Sequence, residues 1–192
     1  MMRNLTYDQL KAIVRKLGFV WFGDRAYDLN MVGIRSKNLK AGEFDDVVYF
    51  AYRDSLKLGR VFEMPITTDP LLRYLKEPMN PKGTAILKEG QWRGMLIRGL
   101  HKGRPALIQN KPVTVYRDAN RDGILDMSNA KLDTGMFGIN FHYGTGQSAS
   151  AGCQVTPHQA DLDYCLALNQ LQRNSVGTYS VTYTLLLEQW LS

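Results

Sequence analysis

The chain has 192 residues, which at about 150 residues per domain argues for one domain spanning 1–192. With 44% apolar and 22% charged residues it is neither disordered, collagen-like nor of low complexity, and it can bury a real core. Lys and Arg outnumber Asp and Glu by 24 to 18, a net +6 that favours a polyanionic surface without choosing among nucleic acid, anionic lipid and teichoic acid.

The basic residues, among them Lys11, Arg15, Lys16, Arg53, Lys57, Arg60, Arg98, Lys102 and Arg104, are scattered along the chain. No zinc-finger, basic-zipper or RNA-stacking signature accompanies them, so no nucleic-acid partner is expected. No window approaches about 18 consecutive apolar residues, and the start, Met1-Met2-Arg3-Asn4-Leu5, lacks the apolar stretch of a signal peptide. The expectation is a chain without a transmembrane segment, made in the cytoplasm. Two cysteines, Cys153 and Cys165, are too few for a disulfide framework and fit no zinc spacing.

In chain order, Thr6 and Gln9 form a capping-box spacing, and Leu10, Ile13, Val14 and Leu17 follow at helical intervals before Gly18, so the lead-in over 1–30 opens with an amphipathic helix. Short β-type runs follow at 31–35, 47–52, 61–66, Thr84–Leu87, 92–100, 106–109 and 113–116. Lys102-Gly103 marks a hairpin turn between two of them. A strand at 136–142 precedes a Gly/Ser/Ala-rich loop at 143–152, whose small residues would let backbone approach a ligand. Pro157 suits the first turn of a helix running to about Arg173, and a strand at 179–187 closes the chain. The fold class read from this pattern is mainly β with flanking helices (α+β), a curled antiparallel sheet or a sandwich.

The chemistry concentrates between Gly138 and Val155. A nucleophilic thiol needs a neighbouring base and backbone N–H groups for the oxyanion it creates. His142 at the end of one strand, Cys153 at the start of the next, and Gly152 between them supply all three. For an arbitrary Cys and His, a small buried hydrophobe and a satisfied core imidazole would be the better reading. Cys165, among Leu162 and Leu166 on a helix face, is read as core in that way. A Cys153–Cys165 disulfide would disarm the nucleophile.

The local pattern shifts those odds. His142, then Ser150-Ala151-Gly152-Cys153-Gln154, resembles the YkuD-like L,D-transpeptidase catalytic domain, whose signature is a strand-end His followed by Ser/Thr-His-Gly-Cys and a polar residue. Ala151 replaces that family's second His, and Gln154 stands where an Arg or Asn is common nearby. Together with Thr67-Thr68-Asp69-Pro70, Gly83-Thr84-Ala85 and Tyr183-Thr184-Leu185, the context looks like divergent, phage-associated members, and is specific over 84–187, the expected catalytic core.

The resemblance implies a peptidoglycan enzyme in which Cys153 attacks an L,D peptide bond of the stem peptide through an acyl-enzyme, with His142 as base and Gly152 and Cys153 amides at the oxyanion. Ser150, or a carbonyl near it, would orient the imidazole. Water as acceptor gives a hydrolase of the phage-lysin or injected-effector type, acting at the wall or periplasm after phage-type or secretion-system delivery. The alternatives are a biosynthetic transpeptidase and a non-catalytic wall-binding or virion module. His101, Tyr143, Gln154 and Gln91 are the expected substrate contacts. No cofactor is required.

Asp118, Asn120, Asp122 and Asp126, with Gly123, occupy positions 1, 3, 5, 9 and 6 of an EF-hand-type loop, open to weak calcium binding that would brace the loop before the catalytic strand. Asn129 stands where a bidentate Glu is expected, so a solvated turn capping its own backbone is the simpler reading.

Overall fold

The computed structural model describes residues 4–144 and 150–191. The capping box forms as expected: Thr6 Oγ1 accepts the Gln9 N–H, and Gln9 Oε1 accepts the Thr6 N–H at 2.8 Å, starting α1 (Tyr7–Lys16). Tyr7, Leu10 and Val14 lie on the outer face of β1 (Asn30–Arg35) and β2 (Asp46–Arg53), against Val32, Ile34, Val47, Tyr49 and Ala51. The other face of the same strands sends Met31, Val48 and Phe50 into the main core. Burial on both faces is why apolar residues run through β2 without alternating.

Next come β3 (Gly59–Ile66), α2 (Leu72–Lys76), β4 (Thr84–Leu87), β5 (Gly90–His101), β6 (Arg104–Gln109), β7 (Val113–Asp118) and β8 (Lys131–Gly135). The chain ends with β9 (Phe141–Tyr143), β10 (Gln154–Thr156), α3 (Gln159–Val176), β11 (Val181–Leu187) and a 3-10 turn, Glu188–Leu191. Among the described residues no helix is long and apolar enough to cross a membrane.

The larger sheet has the order β10-β9-β6-β5-β11-β1-β2-β3, and β4-β7-β8 form a small second sheet. The larger sheet curls until its edges meet: Thr67, just past β3, exchanges two backbone hydrogen bonds with Val155 of β10, at 2.8 and 3.0 Å. The inner side of the small sheet (Ala85, Leu87, Val113, Val115) and one face of α3 (Leu162, Cys165, Leu166) fill the space inside. The fold is thus mainly β with flanking helices and a curled sheet, but two pairs, β1–β11 and β9–β10, are parallel. The expected core at 84–187 is not self-contained, because β11 pairs with β1 and β10 with Thr67.

Two elements differ from the sequence reading. Residues 136–142 do not make one strand, because the buried Gln109 side chain takes their backbone partners. Its Oε1 accepts the Phe137 and Ile139 N–H at 2.9 and 3.0 Å, and its Nε2 donates to Gly135 O at 3.0 Å. Only the end of that run forms a strand, the three-residue β9 in the larger sheet, while β8, whose residues are exposed or half-buried, ends before it in the small sheet. α2 carries no side-chain cap, so it offered no start signal.

A buried ionic knot holds the sheet closure. Arg35, at the end of β1, is fully buried; its guanidinium donates to Thr68 Oγ1 (2.8 Å) and Leu87 O (3.1 Å) and lies 3.5 Å from Asp69 Oδ1. Asp46, opening β2, accepts the Ser36 and Thr68 N–H at 2.7 and 2.6 Å. Burial pushes the Asp69 carboxyl up to about 7, with Asp46 and Asp45 adding to the rise against the pull of Arg35. Burial raises Asp46 as well.

Removing one partner from a buried charge cluster leaves the other uncompensated, so Arg35→Met is expected to cost about 3–5 kcal/mol in denaturant unfolding. Because Asp69 binds its proton more tightly folded than at its ordinary value of 3.8, its stabilising contribution is full below about pH 4 and fades as pH rises through about 7. Asp69→Asn should flatten that part of the Tm-against-pH curve; an unchanged slope would show that the carboxyl titrates normally.

Candidate active site

β9 and β10 run parallel with His142 opposite Val155, and the Gln154 N–H donates to Asn140 O at 2.8 Å, which sets Cys153 opposite Asn140. The Cys153 thiol turns toward the edge of the neighbouring segment. It donates to Gly138 O at 3.2 Å and receives the Asn140 N–H, taking the place of a ladder partner. His142 lies two residues out of register, about 6.6 Å along the strands, and does not hydrogen-bond the thiol.

His142 is buried, and its ring is fixed by two contacts. Nδ1 lies 2.9 Å from Tyr143 O. A carbonyl only accepts, so Nδ1 carries the proton and Nε2 keeps its lone pair. The His101 ring stacks on it at 4.4 Å between centroids and 17° between planes. Asn140 Oδ1 accepts the Gln109 N–H at 2.8 Å, which orients the amide so that Nδ2 donates to His101 Nδ1 at 2.8 Å. The Asn140 donor holds His101 neutral, whereas the Tyr143 carbonyl fixes which His142 nitrogen carries a proton and by itself favours the cation.

Burial lowers both histidines below 6.5, with the stacked His142 adding to the effect on His101. Burial also raises the Cys153 thiol above its ordinary value. In the resting protein the proton therefore stays on sulfur. Lys102, in the β5–β6 hairpin turn, is the one charge that lowers all three groups.

Together with Lys102, Arg104, Tyr143, Gln159 and Leu162, the paired histidines line a cleft of about 550 Å³. A second cleft, about 320 Å³, runs past Ala151 between Thr84, Arg117, Met136 and Phe137. The cysteine segment joins β9 to β10 and reaches the second cleft through Ala151, while Cys153 itself is among the lining residues of neither cleft.

Other expected site residues have different places. Ser150 does not touch the imidazole: its hydroxyl accepts the Gly152 N–H and donates to Cys153 O, both at 2.7 Å, while its own carbonyl accepts the Leu71 N–H. The Gly152 N–H is therefore committed, whereas the Cys153 N–H meets no partner among the described residues. Gln154 is fully buried and its side chain accepts the Tyr183 hydroxyl at 2.8 Å. Gln91 ties the lead-in to the sheet through Val20 and Thr184. Of the loop at 143–152, residues 145–149 lie outside the described residues. Cys153 and Cys165 are both free thiols, and Cys165 is buried in the core beside Met64.

In the acidic loop, Asp118 accepts the Asp126 N–H, Asp122 the Ile124 N–H and Asp126 the Ser128 N–H, while Asn120 bonds Asp122. These side chains cap their own turns along an open cavity of about 890 Å³. Among the described residues no group of three or more His, Cys, Asp or Glu could hold a metal ion.

Asn140, Lys102 and Arg104 were missed as site residues. The first was legible as the residue two before His142, hence on its face; the cations carried no signal beyond a hairpin turn. Comparison of the chain with known protein families, with curated proteins and with solved structures finds no match.

Lys102→Ala should move His142 up toward 6.5 and the Cys153 thiol further up, read by imidazole NMR and by the pH profile of iodoacetamide labelling; unchanged midpoints would remove Lys102 from the site. Gly152 sits at φ +134, and a Cβ there would lie 2.3 Å from Ala85 O. Gly152→Ala should therefore cost about 2 kcal/mol or more and speed Cys153 alkylation by displacing the thiol from Gly138.

Proposed function

We propose that this chain is a cysteine enzyme that opens a peptide bond of the peptidoglycan stem, with water as the usual acceptor. The observation that carries the reading is the His142 tautomer: Nδ1–H is committed to Tyr143 O, so the base face, Nε2, keeps its lone pair and meets no partner among the described residues, beside a cleft whose rim is cationic. The resemblance of His142 and Ser150–Gln154 to the L,D-transpeptidase signature supplies the substrate class.

In this scheme the thiol leaves Gly138 O when substrate enters, and its proton passes to His142 Nε2. The sulfur attacks the carbonyl carbon while the Cys153 N–H meets the developing oxyanion. As the C–N bond breaks, the imidazolium returns its proton to the leaving amine, giving an acyl-enzyme thioester. Water, deprotonated by the same nitrogen, then releases a carboxylate and restores the thiol. Lys102 supports the thiolate electrostatically, and Lys102 and Arg104 attract a substrate carboxylate. Delivery to the wall would follow the phage-type or secretion route; with an amine acceptor the same steps give a transpeptidase.

A second reading is favoured by the raised thiol and its hydrogen bond to Gly138: a module that binds stem peptide without cleaving it.

Incubation with purified peptidoglycan, followed by mass spectrometry of muropeptides, separates these outcomes. Shortened stems lost in Cys153→Ala, and reduced by about 10²–10⁴-fold in His142→Ala, are expected. New cross-links would point to transfer, and binding without any new product would overturn the enzymatic reading.

A further inference from the structure

Basic residues that are dispersed in the sequence converge in a pocket that shares no lining residue with the histidine cleft or the cysteine segment. Lys11 and Arg15 of α1, Arg25 of the lead-in, and Arg53 and Lys57 of the β2–β3 turn line a single pocket of about 420 Å³, with Asp24 as its one carboxylate. Tyr7, Lys11 and Arg15 recur at i, i+4 and i+8, so both cations stand on the helix face that Tyr7 anchors.

The floor is built, and it is rigid. Trp21 Nε1 donates to the Tyr7 hydroxyl at 2.9 Å, and the two rings meet edge to face at 5.2 Å. Gly59 lets β3 lie against the Tyr7 ring, where a Cβ would come within 2.7 Å of it. The Arg53 guanidinium lies over that ring at 5.7 Å and also donates to Lys57 O at 3.3 Å.

The charge is only partly compensated, by Asp24 in the pocket and by Asp28, on which Arg25 acts. None of these five cations makes a salt bridge among the described residues. Asp54, the carboxylate placed to neutralise the turn, is spent on Arg60 at 2.8 Å and on the Leu56 and Leu58 N–H groups at 2.9 Å. Lys57 itself is held at φ +61, a conformation uncommon for a residue with a Cβ. Clustered like charges repel, and a concavity focuses their field, so the surplus of five cations over the nearby carboxylates favours an anion there.

We propose that this pocket is a binding site for a compact phosphate-bearing anion, held by Lys11, Arg15, Arg53 and Lys57. Guanidinium forks and ammonium groups together match phosphate oxygens. The concave shape, with aromatic rings buried as a floor, suits a phosphate or pyrophosphate group better than a duplex or stacked bases. Leu56 and Leu58, 74% and 51% exposed at the turn beside the pocket, would contact acyl chains if the phosphate belongs to a lipid headgroup. The site is independent of the cysteine chemistry.

The test is titration of the intact chain with sodium pyrophosphate, and in parallel with phosphatidylglycerol vesicles, followed by NMR of the Trp21 indole N–H and by vesicle co-sedimentation. Saturable shifts of that signal are expected, weakened about tenfold by Arg15→Ala or Lys57→Ala and unaffected by Lys102→Ala or Cys153→Ala. Binding of vesicles that Leu56→Ser diminishes while pyrophosphate binding persists assigns the phosphate to a headgroup. Thermal melts of both charge-deletion variants at or above the wild-type Tm, as relief of repulsion requires, separate loss of binding from misfolding. Shifts that survive both substitutions, no saturable shift with either probe, or a single-stranded oligonucleotide binding well above pyrophosphate would overturn the proposal.

Discussion

A guanidinium with no access to water sets the position of everything near the cysteine. Arg35 loses its hydration entirely, a cost of several kcal/mol for an ion of this size. It recovers that through Thr68, Leu87, Met127 and the Asp69 carboxylate, groups contributed by three separate segments. Because the donors of a guanidinium lie in one rigid plane, those segments have one arrangement that satisfies them. Residues 67–71 are thereby fixed, and from them Thr67 reaches Val155 and the Leu71 N–H reaches Ser150. The thiol-bearing segment is hung from the knot at both of its ends.

The same construction explains the resting electrostatics of the candidate site. A segment pinned against a closed sheet excludes water, and exclusion acts oppositely on the two groups: it lifts a thiol and lowers an imidazole. Such a pair holds its proton on sulfur and carries no net charge until something changes the surroundings. Lys102 is arranged for that change. It sits at φ +49 in a tight turn with Gly103, an exposed position from which its ammonium acts on both groups without a carboxylate partner among the described residues.

The parts of this fold that were legible in the sequence are those governed by local rules. The Thr6–Gln9 box, the Lys102-Gly103 turn, β4 and the burial of Cys165 depend on neighbours in sequence or on one helical face. What was not legible depends on side chains doing the work of backbone. Gln109 supplies hydrogen bonds that a strand partner would have supplied to 137 and 139, and Gln154 braces the interior through Tyr183. A polar residue in an apolar run reads as a site residue when nothing identifies its distant partner, which is how Gln154 and Gln91 came to be expected at a substrate. The convergence of Lys11 and Arg15 with Arg53 and Lys57 was hidden for the same reason, since the docking of α1 on β2 and β3 is a tertiary fact.

The small residues at 150–152 illustrate how one sequence signal can have two physical causes. Glycine and serine before a cysteine suggest open backbone for an oxyanion, yet here Gly152 is required because its α-carbon lies against the Ala85 carbonyl, where no side chain fits. Ser150 likewise spends its hydroxyl on the turn, accepting from Gly152 and donating to Cys153 O. The smallness brings the cysteine segment into contact with β4 of the second sheet, so the site is seated where the two sheets meet. That leaves the Cys153 N–H as the amide whose partner the described structure does not supply, and it is the residue bearing the sulfur itself. On the proposed reading, a carbonyl approaching Sγ would meet that amide in the same step, so oxyanion stabilisation would fall to the backbone of Cys153 itself rather than to Gly152, whose N–H is already taken by Ser150.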